Sequence, residues 1–305
     1  MQFSVIIPAK NEETNIRYCL DALRELDFSK YEYEVIVVDN GSSDATVSIV
    51  NDYGYSVYVK PHLSLSGLRN FGASVASGNI LVFLDADCVP DKDWLKNISI
   101  TLGESEVGCT GSTAVAPANG TWVEKVWSSF RTRRKNKCYT SWITSQNFVV
   151  RRELFVKVGG FNENVKTCED VDIGMRLYKI CKILFDPSIR VVHLGEPKTI
   201  REFFFKEIWR GKGTVSGIIS HGISINEIIS IAIPVYYIII TICVLSATAL
   251  YSGNIVLIMM MLYIGPAVVF TVWVITKTKQ IMYVLCYFAL FLIYANARAI
   301  ALFLR

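Results

Sequence analysis

Asp85-Ala86-Asp87 places two carboxylates two residues apart, directly after the apolar run Asn79–Leu84. In an extended chain such residues point to the same side, so both can reach one ligand. Two hard oxygen donors suit Mg²⁺ or Mn²⁺, shared with a nucleoside diphosphate. A solvated turn is the competing reading, because Pro90-Asp91 follows closely. A second acidic cluster, Cys168-Glu169-Asp170-Val171-Asp172, opens a helix-like stretch through Leu177. Its carboxylates serve either as partners of a helix N-terminus or as a general base with a tuning neighbour.

The elements that must carry these groups follow from the apolar runs. Phe3–Pro8, Tyr33–Val38, Ser56–Val59 and Asn79–Leu84 read as strands. Between them, Glu12 to Leu26, a stretch capped by Ser43 or Asp44 and running to Tyr53, and Gly67–Ser77 read as helices. Apolar strands separated by helices predict a mostly parallel α/β sheet with helices on both faces. Ligands bind beyond the carboxyl ends of such strands. There the sequence places Pro8-Ala9-Lys10-Asn11-Glu12, then Asp39, then the Asp85/Asp87 pair. It has neither GxGxxG nor GxxxxGK[ST], so dinucleotide and P-loop chemistry are not indicated.

The charge distribution divides the chain. Of 305 residues, 52% are hydrophobic, with a mean hydropathy of +0.36 and a formal net charge of +4. No Asp or Glu occurs after Glu227, and the whole +4 resides in Lys277, Lys279, Arg298 and Arg305. This excludes a uniform soluble globule, a disordered chain and a bulk-basic nucleic-acid binder. Residues 228–250, 255–275 and 281–304 are apolar runs long enough to cross a bilayer, which takes about 20 helical residues. Lys206, Arg210 and Lys212 precede the first run, Lys277 and Lys279 follow the second, and Tyr251–Asn254 carries no cation. That asymmetry predicts an integral membrane protein with residues 1–227 on the cytoplasmic side. The start, Met1–Pro8, has no basic region and no long apolar core, so it does not read as a signal peptide. The eight cysteines show no zinc spacing and read as free thiols.

The run FSVIIPAKNEETNI, then EVIVVDNGSSDAT, then GLRNFGASVASGNILVFLDADCVPDKDWL, resembles a family 2 glycosyltransferase of GT-A fold. SQNFVVRRELFVKVGGFNE and CEDVDIGMRL continue the resemblance in order, over about residues 3–212. It implies a catalytic domain at 1–198, an amphipathic interfacial region at 199–227 and a three-helix transmembrane domain at 228–305. Pro8, Ala9, Asn11 and Glu12 would shape a nucleotide pocket, and Asp39 would bind the base. Arg69 and Asn70 would lie along the nucleotide or diphosphate. Asp85 would hold the ribose or a metal-bound water, and Asp87 the metal. Asn147 and Gly159-Gly160-Phe161 would face the donor sugar or acceptor. Asp170 would be the catalytic base, with Glu169 its neighbour or substitute. His193 would be either a further metal ligand or a structural histidine. The implied cofactor is Mg²⁺ or Mn²⁺, and the implied partners are a nucleotide-sugar donor, UDP favoured over GDP, and a lipid-linked acceptor.

Processive members of the family carry Gln-x-x-Arg-Trp, whereas this chain reads Lys206-Glu207-Ile208-Trp209-Arg210-Gly211, which favours single-sugar addition. Trp127, Arg131, Arg133, Arg134, Trp209 and Arg210 form basic-aromatic stretches suited to lipid headgroups; a solvated basic face with core aromatics is the plainer reading. Arg298, in the third apolar run, either snorkels to the interface or pairs inside the bundle. Two alternatives stand beside the leading reading: a polyprenyl-phosphate glycosyltransferase, whose phosphate acceptor needs no base, and a catalytically silent membrane scaffold.

Overall fold

Strand β1 (Gln2–Ala9) is buried along nearly its whole length, which explains the near-continuous apolar run Phe3–Ile7. The computed structural model describes residues 2–27, 32–104, 106–132, 134–165, 167–212, 225–250 and 253–304. These form two compact units, residues 1–117 with 134–196, and residues 118–133 with 197–305.

The first unit is built on an eight-stranded sheet. Its remaining strands are β2 (Glu32–Asp39), β3 (Ser56–Val59), β4 (Ile80–Leu84), β6 (Val107–Gly111), β7 (Cys138–Tyr139), β8 (Asn147–Arg151) and β9 (Lys182–Phe185), in the order β3-β2-β1-β4-β8-β6-β9-β7. The four N-terminal strands run parallel, and β8 enters antiparallel beside β4. Helices α1 (Ile16–Arg24), α2 (Thr46–Asp52) and α3 (Leu65–Val75) supply the crossovers, and α4 (Trp94–Leu102), α6 (Arg152–Lys157) and α7 (Glu169–Tyr178) complete the layers. Each sheet face has its own core. Val5, Ile7, Val35 and Val37 point to α1, while Ile6, Ile36, Val38 and Phe83 point to α3 and α7. That alternation is the period-2 pleat, with both faces apolar because both are covered. The mostly parallel sheet with helices on both faces expected from the sequence is present.

Helix α2 is capped at Ala45 without a side-chain cap bond, rather than at Ser43 or Asp44; Asp44, one residue earlier, accepts from the Thr46 N–H at 3.0 Å through Oδ1. A separate two-stranded ribbon pairs β5 (Cys88–Pro90) with β10 (Val191–His193), antiparallel, and sets His193 opposite Cys88. Neither short strand is legible from the sequence, since three residues carry no periodicity.

In the second unit, α5 (Trp122–Arg131) starts on a capping box of Thr121 and Glu124. Its Val123 and Val126 pack with Phe203 of α8 (Ile200–Gly211) and with Val274, Tyr287 and Leu290. These belong to α10 (Asn254–Thr278) and α11 (Val284–Ala301), which with α9 (Ile225–Leu250) make up the rest of the unit. Three segments, Ile231–Leu250, Asn254–Thr278 and Ile281–Ala301, are long and apolar enough to span a membrane. Leu245, Val269 and Leu285 are exposed, as a lipid-facing surface requires. The helices meet through small residues, Ala267, Ala295 and Ala299, beside Tyr237 and Phe291. Of the residues expected at an interface, Arg133 lies outside the described residues, as does 213–224 of the 199–227 region.

Candidate active site

The carboxyl ends of β1, β2 and β4 open onto a cleft of about 340 Å³. Pro8, Ala9, Lys10 and Glu12 line it from β1 and the following loop, Asn40 from the end of β2, Leu63, Leu65 and Leu68 from α3 and its approach, and Asp85, Ala86 and Asp87 from the end of β4. Among the expected residues, Pro8, Ala9, Glu12, Asp85 and Asp87 therefore converge. The aspartates arrive differently from the extended geometry assumed from the sequence: a turn closed by the Cys88 N–H on the Asp85 carbonyl, 3.0 Å, presents both. Asn11, in left-handed conformation with φ 55°, is exposed, and its Oδ1 accepts from the Ser43 N–H at 2.9 Å. Lys10, from the run at the end of β1, and Asn40, which the sequence did not single out, form a wall of the cleft, Lys10 Nζ donating to Asn40 Oδ1 at 3.1 Å.

Behind the cleft lining, His193 Nε2 lies 3.0 Å from Asp87 Oδ2, and Nδ1 lies 3.0 Å from Glu196 Oε1. The imidazole and Glu196 are both buried. Burial opposes charge on His193, but the hydrogen bonds and charges of Asp87 and Glu196 outweigh it and carry its pKa up to about 9. Burial also raises Glu12, with Asp87 adding to the effect. Asp85 is raised by burial and by Asp87, against the pull of Arg69. This concentration of negative charge invites a cation.

Two observations bear on whether a divalent ion fits. Gly195 lets the Asp87 carboxylate pack against the backbone: a Cβ there would stand 1.9 Å from Asp87 Oδ2. The ligand atoms of Asp87, Cys88 and His193 lie within 4.8 Å of one another. Burial pushes the Cys88 thiol well up, and the proton that Asp87 and Glu196 hold on His193 would have to leave as an ion binds, so the donors on offer are a carboxylate and, once deprotonated, an imidazole. That set suits Mn²⁺ or Mg²⁺ better than a thiophilic ion. Glu196 was missed in the sequence; a carboxylate three residues beyond a histidine was the available signal.

The second acidic cluster opens α7. Glu169 Oε1 accepts from Arg69 Nη1 at 2.9 Å and from Ser145 Oγ at 2.9 Å. Burial first, and the charge of Glu169 second, push the Asp170 pKa up to about 7. Asp172 is committed elsewhere: it holds Arg176, whose guanidinium donates to the Val158 and Gly160 carbonyls.

Several residues expected to bind ligand are held by other protein groups in this arrangement. Asp39 is fully buried, and both its oxygens accept from Ser42, through the backbone N–H at 2.7 Å and through the hydroxyl. It closes the turn after β2. Asn147 is also fully buried, donating to Ser112 Oγ at 2.9 Å and the Ile189 carbonyl at 2.8 Å, and accepting from Trp94 Nε1. It ties the end of β8 to α4 and to the Ser112 and Ile189 loops. Arg69 is fully buried and pairs with Asp85 and Glu169. Asn70 grips the glycine loop: its Oδ1 accepts from the Phe161 N–H at 2.9 Å, and its Nδ2 donates to the Phe161 carbonyl and Glu163. Gly160 is required there, with φ +69° and no room for a Cβ beside Asn70.

In the second unit, Trp127 packs on Phe130, Phe203 and Tyr294. Arg210 lies over the Trp127 ring and pairs with Glu207. Trp127 and Arg210 are both half-buried. Trp209 is exposed and Arg131 half-buried. Arg134, in the first unit, is exposed, donates to Thr140 Oγ1 and lies over Phe185. Arg298 pairs inside the bundle: its Nη2 lies 3.0 Å from Glu207 Oε2, and that glutamate is fully buried.

Residues 4–159 match the model of Glycosyl transferase family 2. The chain belongs to that family. It is a glycosyltransferase, which sets aside the silent scaffold. It is 29% identical to Glycosyltransferase AglE of Haloferax volcanii over 75% of this chain and 78% of that protein. It is 30% identical to Probable glycosyltransferase YdaM of Bacillus subtilis over 68% of this chain, spanning about half (52%) of that relative. Among solved structures, the mannosyltransferase PcManGT from Pyrobaculum calidifontis, in complex with GDP-Man and Mn²⁺, is similar with a TM-score of 0.67. That likeness covers 96% of this chain and 87% of the neighbour at 21% identity, and concerns the fold.

Proposed function

We propose that this chain is an inverting, divalent-metal-dependent transferase that moves one sugar from a nucleoside diphosphate sugar to a hydroxyl of a lipid-linked acceptor. The observation that carries this reading is the pair of carboxylate groups on either side of Arg69: Asp85 with Asp87 in the cleft, and Glu169 with Asp170 at the start of α7. The cleft has the lining a nucleotide diphosphate needs, with Pro8, Ala9 and Leu68 as apolar walls and Lys10 as a cation. Asp87 and His193 would hold the metal, with Asp85 beside them and Glu196 orienting the imidazole. When bound, the ion neutralises charge on the departing nucleoside diphosphate. Asp170 takes the proton of the acceptor hydroxyl as that oxygen attacks the anomeric carbon, and one displacement inverts that carbon. A base poised near neutrality is suited to this.

The membrane part of the reading rests on three apolar segments of spanning length and on the cations Lys277 and Lys279 at the end of α10. They support an integral membrane protein with its catalytic domain on the cytoplasmic side. Exposed Phe205 and Trp209, one turn apart on α8, support an interfacial helix. The absence of Gln-x-x-Arg-Trp supports single addition. The sequence favours a uridine donor, while the PcManGT complex holds a guanosine one, so both bases belong in any donor screen.

Asp170→Asn tests the acceptor class. With a hydroxyl acceptor, turnover should fall ~10²–10⁴-fold, the usual span for a lost general base. Turnover within about threefold of wild type would favour a bare phosphate acceptor, which is already an anion, by the same reasoning.

A further inference from the structure

Arg69, midway along α3, is fully buried between two carboxylates that the chain supplies 84 residues apart. Its Nη2 donates to Asp85 Oδ1 at 2.8 Å and its Nη1 to Glu169 Oε1 at 2.9 Å. The two acceptors belong to different elements, the end of β4 and the first turn of α7. Ser145 Oγ donates to the same Glu169 oxygen, and the Phe161 ring lies 5.5 Å from the guanidinium carbon. Arg69 does not line the cleft. The guanidinium has further N–H groups, its Nε among them without a partner, but with the side chain fully buried none of them reaches the cleft surface.

Resting on the reading above, we propose that Arg69 is a positioning residue: its rigid guanidinium sets the separation between the donor-side carboxylates Asp85/Asp87 and the acceptor-side pair Glu169/Asp170, and so the distance over which the sugar is transferred. A guanidinium is planar, with two terminal nitrogens at fixed spacing, so one side chain can hold two carboxylates in a defined relation. A lysine ammonium is a point charge on a flexible stem and cannot impose that relation. Glu169, held by Arg69 and Ser145, serves as the fixed counter-charge, which leaves Asp170 as the member of the pair that receives the proton.

The test uses the full-length protein in detergent, wild type and Arg69→Lys, whose fold is checked by thermal unfolding. Calorimetry measures UDP and GDP binding with Mn²⁺, and steady-state kinetics measures donor KM and kcat. Binding and donor KM should stay within about threefold of wild type, while kcat falls about 10²-fold, the usual consequence of misplacing reacting groups by about 1 Å. A tenfold or larger rise in KM and Kd with kcat preserved would identify Arg69 as a donor ligand and overturn the proposal. So would kinetics indistinguishable from wild type.

Glu169→Ala and Glu169→Gln test the bridge from its other end, and decide the matter if Arg69→Lys does not fold. Gln keeps an oxygen for Arg69 and Ser145, so it should recover at least tenfold of the kcat lost in Ala, at unchanged nucleotide affinity. Equal losses in both would mean that Glu169 acts by its charge alone, and equal retention that the bridge is idle; either contradicts the proposal. A wild type with no metal-dependent turnover of any nucleotide sugar overturns the parent reading and this inference together. An active wild type with the contrary variant behaviour overturns this inference alone.

Discussion

His193 Nε2 stands 3.0 Å from Asp87 Oδ2, although 106 positions separate the two in the chain. The β5–β10 ribbon makes the approach, with His193 in register with Cys88 and the Leu194 N–H donating to the Asp87 carbonyl at 2.8 Å. On its far side the imidazole faces Glu196, a carboxylate placed to fix the ring. Glu196→Gln should weaken Mn²⁺ affinity about 10–100-fold while leaving the fold intact, the usual effect of losing a carboxylate behind a metal-binding histidine. Calorimetric titration of Mn²⁺ in the presence of nucleotide checks this. Unchanged affinity would remove Glu196 and His193 from the metal site.

Gly195 gives a steric test of the same place. A methyl group there would meet Asp87 Oδ2 at 1.9 Å, so the aspartate or the backbone must move. Gly195→Ala should abolish metal-dependent nucleotide binding with only a small change in thermal stability. Normal binding by the variant would show that the carboxylate is free to shift.

The pH dependence of turnover reports on Asp170. Burial and Glu169 raise its pKa to about 7, so the base is protonated below that pH and available above it. The kcat profile should therefore rise with an acid limb near pH 7 and level off at higher pH. Glu169→Gln removes the second contribution, the neighbouring charge, and should move the limb to lower pH without returning it to the ordinary aspartate range. Burial, the larger contribution, remains. A limb that stays in place would assign it to another group.

Glu207 carries a prediction about stability in the second unit. It is fully buried between Arg210 of its own helix and Arg298 of α11. Glu207→Ala leaves two cations facing each other, and should cost about 3–5 kcal/mol, as measured for broken buried ion pairs. Thermal unfolding in detergent checks it. A change of less than about 1 kcal/mol, the range of surface pairs, would mean that solvent or lipid headgroups reach the arginines.

How much of this was legible in the sequence depends on which interactions are local. Strands Phe3–Pro8 and Ser56–Val59, and the apolar segments of the second unit, show themselves through hydrophobic pattern, and each is present within a few residues. The cleft residues at the ends of β1 and β4 follow from the same logic, because an α/β sheet places its ligands there. Burial was not legible. Asp39, Arg69 and Asn147 sit in recurrent motifs that invite a ligand reading, and the structure encloses all three. Their partners Ser42, Glu169 and Ile189 include residues up to 100 positions away. No periodicity reports such contacts. The short β5–β10 ribbon was hidden for a similar reason, and with it the position of Glu196 behind His193. Residues 118–133, read as part of the first domain, pack instead with 197–305, a tertiary association that composition does not announce.

The most direct test of the account is donor turnover by the detergent-purified protein. UDP- and GDP-sugars would be screened with Mn²⁺, Mg²⁺ or EDTA, with and without membrane lipid extract, beside Asp87→Ala. The account predicts metal-dependent release of a nucleoside diphosphate from one donor class, stimulated by lipid and lost in Asp87→Ala. Turnover that is indifferent to EDTA and to Asp87→Ala would contradict it.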